Sequence, residues 1–271
     1  MVVAHLENQF YPMVVEGLSK QLRQHGYHLL LFCTEAREAD DVLAEILQYQ
    51  VDGIVLASTT LSSALARSCA QAGVPVLQLN RTEADSTASS VAADNVDGGR
   101  QVGRLLCRAG HQRIAYVAGF ADTSTSRDRE IGLAAGLAEF DQRCVASAVG
   151  DYSFEGARRA VLELCSGPDR PDALFVANDH MAIAAMDTLR IELGLRVPDD
   201  ISVVGFDDVP QAAWGAYRLT TVRQQASALI ESTVSLLLRQ IETGNAERHD
   251  IVLPVSLVLR DSARLPPPEA G

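Results

Sequence analysis

The sequence predicts a doubly wound α/β protein built from two Rossmann-like parallel-sheet subdomains in series. Three observations carry this. Apolar runs of four to six residues alternate with longer amphipathic stretches, as strands covered on both faces alternate with crossover helices. About four such units precede residue 95 and about four follow before Leu219, more than one sheet of usual size accommodates. Polar residues recur where the strands should end, which is where open parallel sheets bind ligands.

Taken in order, the apolar runs stand at 29–32, 53–57, 75–79, 114–118, 173–177 and 201–205. The stretch 12–25 places Val14, Val15, Leu18 and Leu22 on one helical face, with Pro12 at its start and Gly26 just past its end. Helices are expected in the same way over 41–49, 62–72, 96–108, 129–140, 154–165, 181–193 and 226–243. Asp41, Ser62 and Asp97 read as helix N-caps. Strand–helix–strand spacing of this kind implies right-handed parallel crossovers. Pro266, Pro267 and Pro268 read as a frayed tail.

Twenty-three Lys+Arg against 35 Asp+Glu leave a formal charge of −12. Such a surface is repelled by phosphate backbones and by anionic membranes, so this stretch of chain is not expected to grip nucleic acid itself. No run approaches the length of a membrane span, and residues 1–7 lack a basic leader. The five cysteines are scattered and odd in number, three with apolar neighbours, as in Leu31-Phe32-Cys33. They read as buried free thiols in a reducing cytoplasm.

Short signatures of catalysis are missing. There is no GxxxxGK[ST] loop, no GxSxG and no HExxH, and the Gly98–Gly99…Gly103 cluster lacks GxGxxG spacing. The six histidines show no metal-ligand spacing with cysteine. Neither a cofactor nor a metal is expected, and a binding protein is favoured over an enzyme.

The polar groups at strand ends are the informative residues. They are Asn8 to Tyr11, Asn80-Arg81, Asp94-Asn95, Arg127 with Arg129, Asp151-Tyr152, Asn178-Asp179 and Phe206-Asp207-Asp208. Amides, carboxylates and guanidinium groups flanked by aromatic rings suit a polyhydroxylated ligand, each hydroxyl of which needs a paired donor or acceptor. Each also has a structural reading, as a cap, a solvated ion pair or the cover of an apolar helix face.

The segment 197–208, VPDDISVVGFDD, resembles the VPxDISVxGFDD segment of the lactose-repressor (LacI/GalR) family of transcription regulators. Residues 219–224, LTTVRQ, resemble that family's LTTVxQ. Further matches in the same order are VDGI at 51–54, GHQRIA at 110–115, REIG at 129–132, ANDHMA at 177–182 and a closing strand over 255–262. The resemblance implies a periplasmic-binding-protein-like fold whose two subdomains, joined by a three-crossover hinge, hold a small effector in a cleft. The implied boundaries are 1–94 plus 225–250 for the first subdomain and 95–221 plus 251–264 for the second, with 265–271 a disordered tail.

Carried over residue by residue, the implied effector contacts are Phe10, Asn80, Asp94, Arg129, Tyr152, Asn178 and Asp207. Phe10, Asn80 and Asp94 are expected from the first subdomain and the others from the second. The family's NPFF reads Asn8-Gln9-Phe10-Tyr11 here, so the proline of that loop is lost. The resemblance further implies a sugar-like effector, a homodimer, and operator DNA bound only through a helix-turn-helix headpiece that these residues do not contain. The rival reading is a periplasmic sugar-binding protein of a transport system, which shares the fold and needs no headpiece.

Overall fold

The computed structural model describes all residues except 5, 35–44, 47, 58–68, 70, 83–85, 245–246 and 268–271. In chain order its elements are β1 (Val2–Val3), α1 (Phe10–Gln24), β2 (Phe32–Cys33), β3 (Ile54–Ala57), β4 (Val76–Leu79) and β5 (Ser89–Ala93). Then follow α2 (Asn95–Arg108), β6 (Ile114–Ala118), α3 (Ser124–Ala138), β7 (Ala146–Val149), α4 (Phe154–Cys165), β8 (Ala173–Val176) and α5 (Asp179–Asp187). The last are β9 (Ser202–Asp207), β10 (Thr220–Gln224), α6 (Ala226–Thr243), β11 (Asp250–Leu253) and β12 (Val255–Val258).

These elements form two compact units. One comprises Met1–Ala93 and Gln225–Leu253, the other Asp94–Gln224 and Pro254–Gly271. The chain therefore passes from one unit to the other at 93/94, 224/225 and 253/254. The boundary expected at 250/251 lies three residues later, because β11 pairs in parallel with β5 through Leu253↔Ala93.

In the first unit the sheet order is β11-β5-β4-β3-β1-β2, parallel throughout. Its central strands β1 and β3 are buried on both faces, which explains their uniformly apolar sequences. Helix α1 buries Phe10, Tyr11, Val14, Leu18 and Leu22, and α6 buries Leu229, Ile230, Val234 and Leu237, so both amphipathic faces turn inward. Gly244, at φ 62, closes α6 in the left-handed conformation that a glycine reaches without a Cβ clash. The run 29–32 contributes less strand than expected. Only Phe32 and Cys33 pair with β1, and Cys33, at that edge, is exposed rather than buried. Cys69, Cys107 and Cys165 are the buried thiols. The helices expected over 41–49 and 62–72, with the caps Asp41 and Ser62, fall largely outside the described residues.

The second unit orders its sheet β12-β10-β9-β8-β6-β7, with β12 alone antiparallel. The parallel strands β6, β8 and β9 place their C-terminal ends along one edge of the sheet, with Asn178 and Asp179 soon after β8 and Asp207 closing β9. Helices α2 and α3 pack backbone to backbone. A Cβ on Gly99 would stand 2.1 Å from the Arg129 carbonyl, and one on Gly132 would stand 2.0 Å from that of Val96. Of the glycines that fail as a nucleotide fingerprint, Gly99 and Gly103 thus serve close helix packing. Helix α3 begins at Ser124, five residues before its expected start, so Arg129 projects from its second turn. The expected helix 181–193 starts at Asp179 and passes into a π-helical turn, Thr188–Glu192.

Candidate functional site

Within the second unit, Arg129 is held on four sides. Its side chain is 2 % exposed. The Nε–H donates to Asn95 Oδ1 at 2.8 Å and Nη1 donates to the Ala177 carbonyl. The guanidinium carbon lies 3.7 Å from the centroid of the Phe206 ring, and Nη2 lies 3.6 Å from Asp207 Oδ1. Glycines 99 and 132 let α3 approach α2 closely enough for Asn95 to reach it.

Asp207 ends β9 at φ 124, a conformation rarely adopted by a residue with a side chain. Its Oδ1 accepts from Gln224 Nε2 at 2.7 Å. The next residue, Asp208, is matched by two guanidinium groups, Arg223 Nε and Arg260 Nη2, each at 2.6 Å. Asp179, fully buried, takes the Val209 amide at 2.9 Å and the Thr221 hydroxyl at 2.5 Å. Burial, then the nearby charge of Asp207, hold its carboxyl well above the usual range, against those two hydrogen bonds. Of these two neighbouring carboxylates, Asp207 faces the Arg129 guanidinium, while Asp179 is held by the Val209 amide and the Thr221 hydroxyl.

Asn178 caps α5, its Oδ1 accepting from the Met181 amide at 3.0 Å. That bond fixes the orientation of the carboxamide and leaves Nδ2, buried, without a partner among the described residues. Tyr152 lies at φ 51, with its hydroxyl 2.9 Å from Thr125 Oγ1 and its ring edge-on to Phe120 at 5.8 Å. Thr125 stands one helical turn before Arg129 on α3, which ties the tyrosine to the same helix face.

Asp94 has a structural role. It belongs to the second unit, and its Oδ1 accepts from the Asp97 amide at 2.8 Å, making Asp94 the N-cap of α2. Asp97, read as the cap, lies in the first turn and binds Gln101 Nε2 at 2.7 Å. In the first unit, Phe10 opens α1 fully buried, its amide bonded to Asn8 Oδ1 at 3.1 Å. Asn80 follows β4 at φ 66, buried, with Oδ1 unpartnered among the described residues.

Of the residues expected from sequence, Arg129 and Asp207 are in mutual reach, Asn178 follows the Ala177 carbonyl that binds Arg129, and Tyr152 joins through Thr125. Asn95, Asp179 and Phe206 stood among the strand-end residues but not among the implied effector contacts, and Gln224 was noted only within a motif. Each stood beside a residue that was chosen or inside a quoted motif, but its partner is remote in sequence. Among the described residues no group of three or more His, Cys, Asp or Glu could hold a metal ion, and no helix is long and apolar enough to cross a membrane.

Two parallel α/β units with a buried arginine–carboxylate site at strand ends define a periplasmic-binding-protein-like ligand-binding core, and the family description "Periplasmic binding protein-like domain" matches residues 103–263. The HTH-type transcriptional regulator CelR of Thermobifida fusca is 33 % identical over 261 residues, 93 % of this chain and 76 % of that protein. The solved CelR–cellobiose complex superposes with a TM-score of 0.87 at 30 % identity, covering 97 % of this chain and 83 % of that one. The lac repressor dimer bound to operator and an anti-inducer gives 0.84 at 28 % identity, over 97 % and 92 %. The chain belongs to the LacI/GalR family of transcription regulators. Its relatives are regulators and not enzymes, which places it with effector-sensing cores rather than with transport proteins.

Proposed function

We propose that this core senses a sugar or sugar derivative and sets the operator affinity of a cytoplasmic, homodimeric regulator. The observation that carries the reading is the 3.6 Å separation of Arg129 and Asp207. That distance suits charge attraction but exceeds a hydrogen bond, so a ligand hydroxyl can bridge the two, accepting from Nη2 and donating to the carboxylate. The unpartnered Asn178 Nδ2 supplies a further donor, and Tyr152 an aromatic face on which the apolar face of a sugar ring can stack. Phe10 and Asn80 are the candidates of the first unit. The cellobiose complex of CelR supports a sugar, and the lac repressor dimer supports a twofold assembly.

An excess of 12 negative charges repels the phosphate backbone, so operator contact is assigned to a basic headpiece of the family's kind. Effector and operator would then be linked reciprocally, each changing the affinity for the other by the same factor. Calorimetry against cellobiose, ribose, sugar acids, phosphosugars and nucleobases tests the reading. A sugar should bind, and the Arg129→Ala and Asp207→Ala double variant should lose it. Binding that survives the double variant overturns the site; binding of a nucleobase alone overturns the ligand class. Sedimentation at micromolar concentration should show a dimer.

A further inference from the structure

We propose that Phe206 is a positioning residue of this site, its ring setting the plane of the Arg129 guanidinium, and that Gly98 is the gap that admits the ring. The inference rests on the reading of Arg129 as an effector contact. A strand normally sends successive side chains to opposite faces, so Phe206 and Asp207 should not address one group. They do so because the backbone turns to φ 124 at Asp207. The ring then lies against the face of the guanidinium at 3.7 Å while the carboxylate approaches its edge at 3.6 Å.

The ring has room only because residue 98 has no side chain. A Cβ there would stand 2.5 Å from Phe206 Cε2 and 2.8 Å from Cζ. One helix, α2, therefore does two things for Arg129: Asn95 binds Nε directly, and Gly98 seats the ring that supports the fork. With Nε and Nη1 committed and one face stacked, Nη2 is the corner of the fork presented to a ligand oxygen. A buried cation loses its water, and an aromatic face replaces part of that solvation without competing for the ligand's hydrogen bonds.

The test uses the full chain, uniformly labelled with ¹⁵N, with the Arg129 Nε–H signal assigned by its absence in Arg129→Lys. Phe206→Leu should remove the ring-current displacement of that signal, speed its hydrogen exchange, and weaken cellobiose, the calorimetric probe, roughly tenfold. Phe206→Tyr should restore all three. Where Phe206→Leu fails to fold, pentafluorophenylalanine at 206 keeps the shape and reverses the ring quadrupole, and it should weaken the probe in the same way. An Arg129 signal and a cellobiose affinity that ignore residue 206 overturn the inference. If the unaltered chain binds no cellobiose, the sugar reading falls, while the Arg129 signal still decides the role of Phe206.

Discussion

Arg129 and Asp207 face each other at 3.6 Å with side chains 2 % and 3 % exposed, the guanidinium also fastened to Asn95 and the carboxylate to Gln224. Asn95 follows the first crossing between the units and Gln224 precedes the second. Each partner of the ion pair is thus tied to a residue where the chain changes units.

The two halves of the pair are predicted to be unequal in their effect on stability. Arg129→Met leaves Asp207 buried without its facing cation, and should cost about 3–5 kcal/mol in urea unfolding. Asp207→Asn removes one of two neighbouring carboxylates and leaves the guanidinium its contacts to Asn95, Ala177 and Phe206. It should cost clearly less, on the order of 1 kcal/mol. Equal losses would contradict this account of the buried charge.

Asp179 should impose a pH dependence of definite sign. Its carboxyl is raised above the ordinary value of 3.8 by burial and by Asp207. The folded chain therefore holds a proton that the unfolded chain releases. That contribution is complete below the ordinary carboxylate range and is lost as pH rises from there through the raised folded value. Asp179→Asn has no proton to lose. Its amide can donate to the Thr221 hydroxyl and accept from the Val209 amide, so its stability curve should be flatter over that window. A variant with the same slope as the unaltered chain would show that the proton sits elsewhere.

Capping and ligand binding should separate at Asn178. Serine is a good N-cap and keeps an oxygen acceptor for the Met181 amide, but it lacks the Nδ2 donor. Asn178→Ser should melt within about 1 kcal/mol of the parent while binding the best sugar of the panel about tenfold more weakly. Unchanged binding would reduce Asn178 to a helix cap.

The α2–α3 contact gives a prediction independent of any ligand. At Gly132 an added methyl would lie 2.0 Å from the Val96 carbonyl, whereas Gly167 has nothing within 4 Å. Gly132→Ala should cost about 3 kcal/mol in thermal or urea unfolding, and Gly167→Ala about 0.5 kcal/mol or less. Comparable costs would mean that the two helices are not held at backbone contact.

Much of this architecture was legible because it is written in local pattern. Runs buried on both faces, such as Ile114–Ala118, are apolar throughout, and faces such as that of Val14, Leu18 and Leu22 repeat with helical period. Asp207 could be singled out because it ends a strand and Arg129 because it opens the REIG motif, each inside a specific pattern. The sequence alone left Asp94 open, because a carboxylate before a helix serves equally as a cap or as a ligand contact, and the Asp97 amide at 2.8 Å shows the cap.

The chain by itself determined the class of fold, the family and which polar residues stand at strand ends, since each depends on neighbours within a few positions. Which of those residues meet was decided by the tertiary structure alone. Asn95 lies 34 positions from the arginine it orients, and Ala177 lies 48 positions away. Phe206 reaches the same group only through a backbone turn at Asp207 and a glycine on another helix. Distance in space, the loss of water and the pairing of a buried cation with a buried carboxylate are properties of packing, and they carry no signature along the chain.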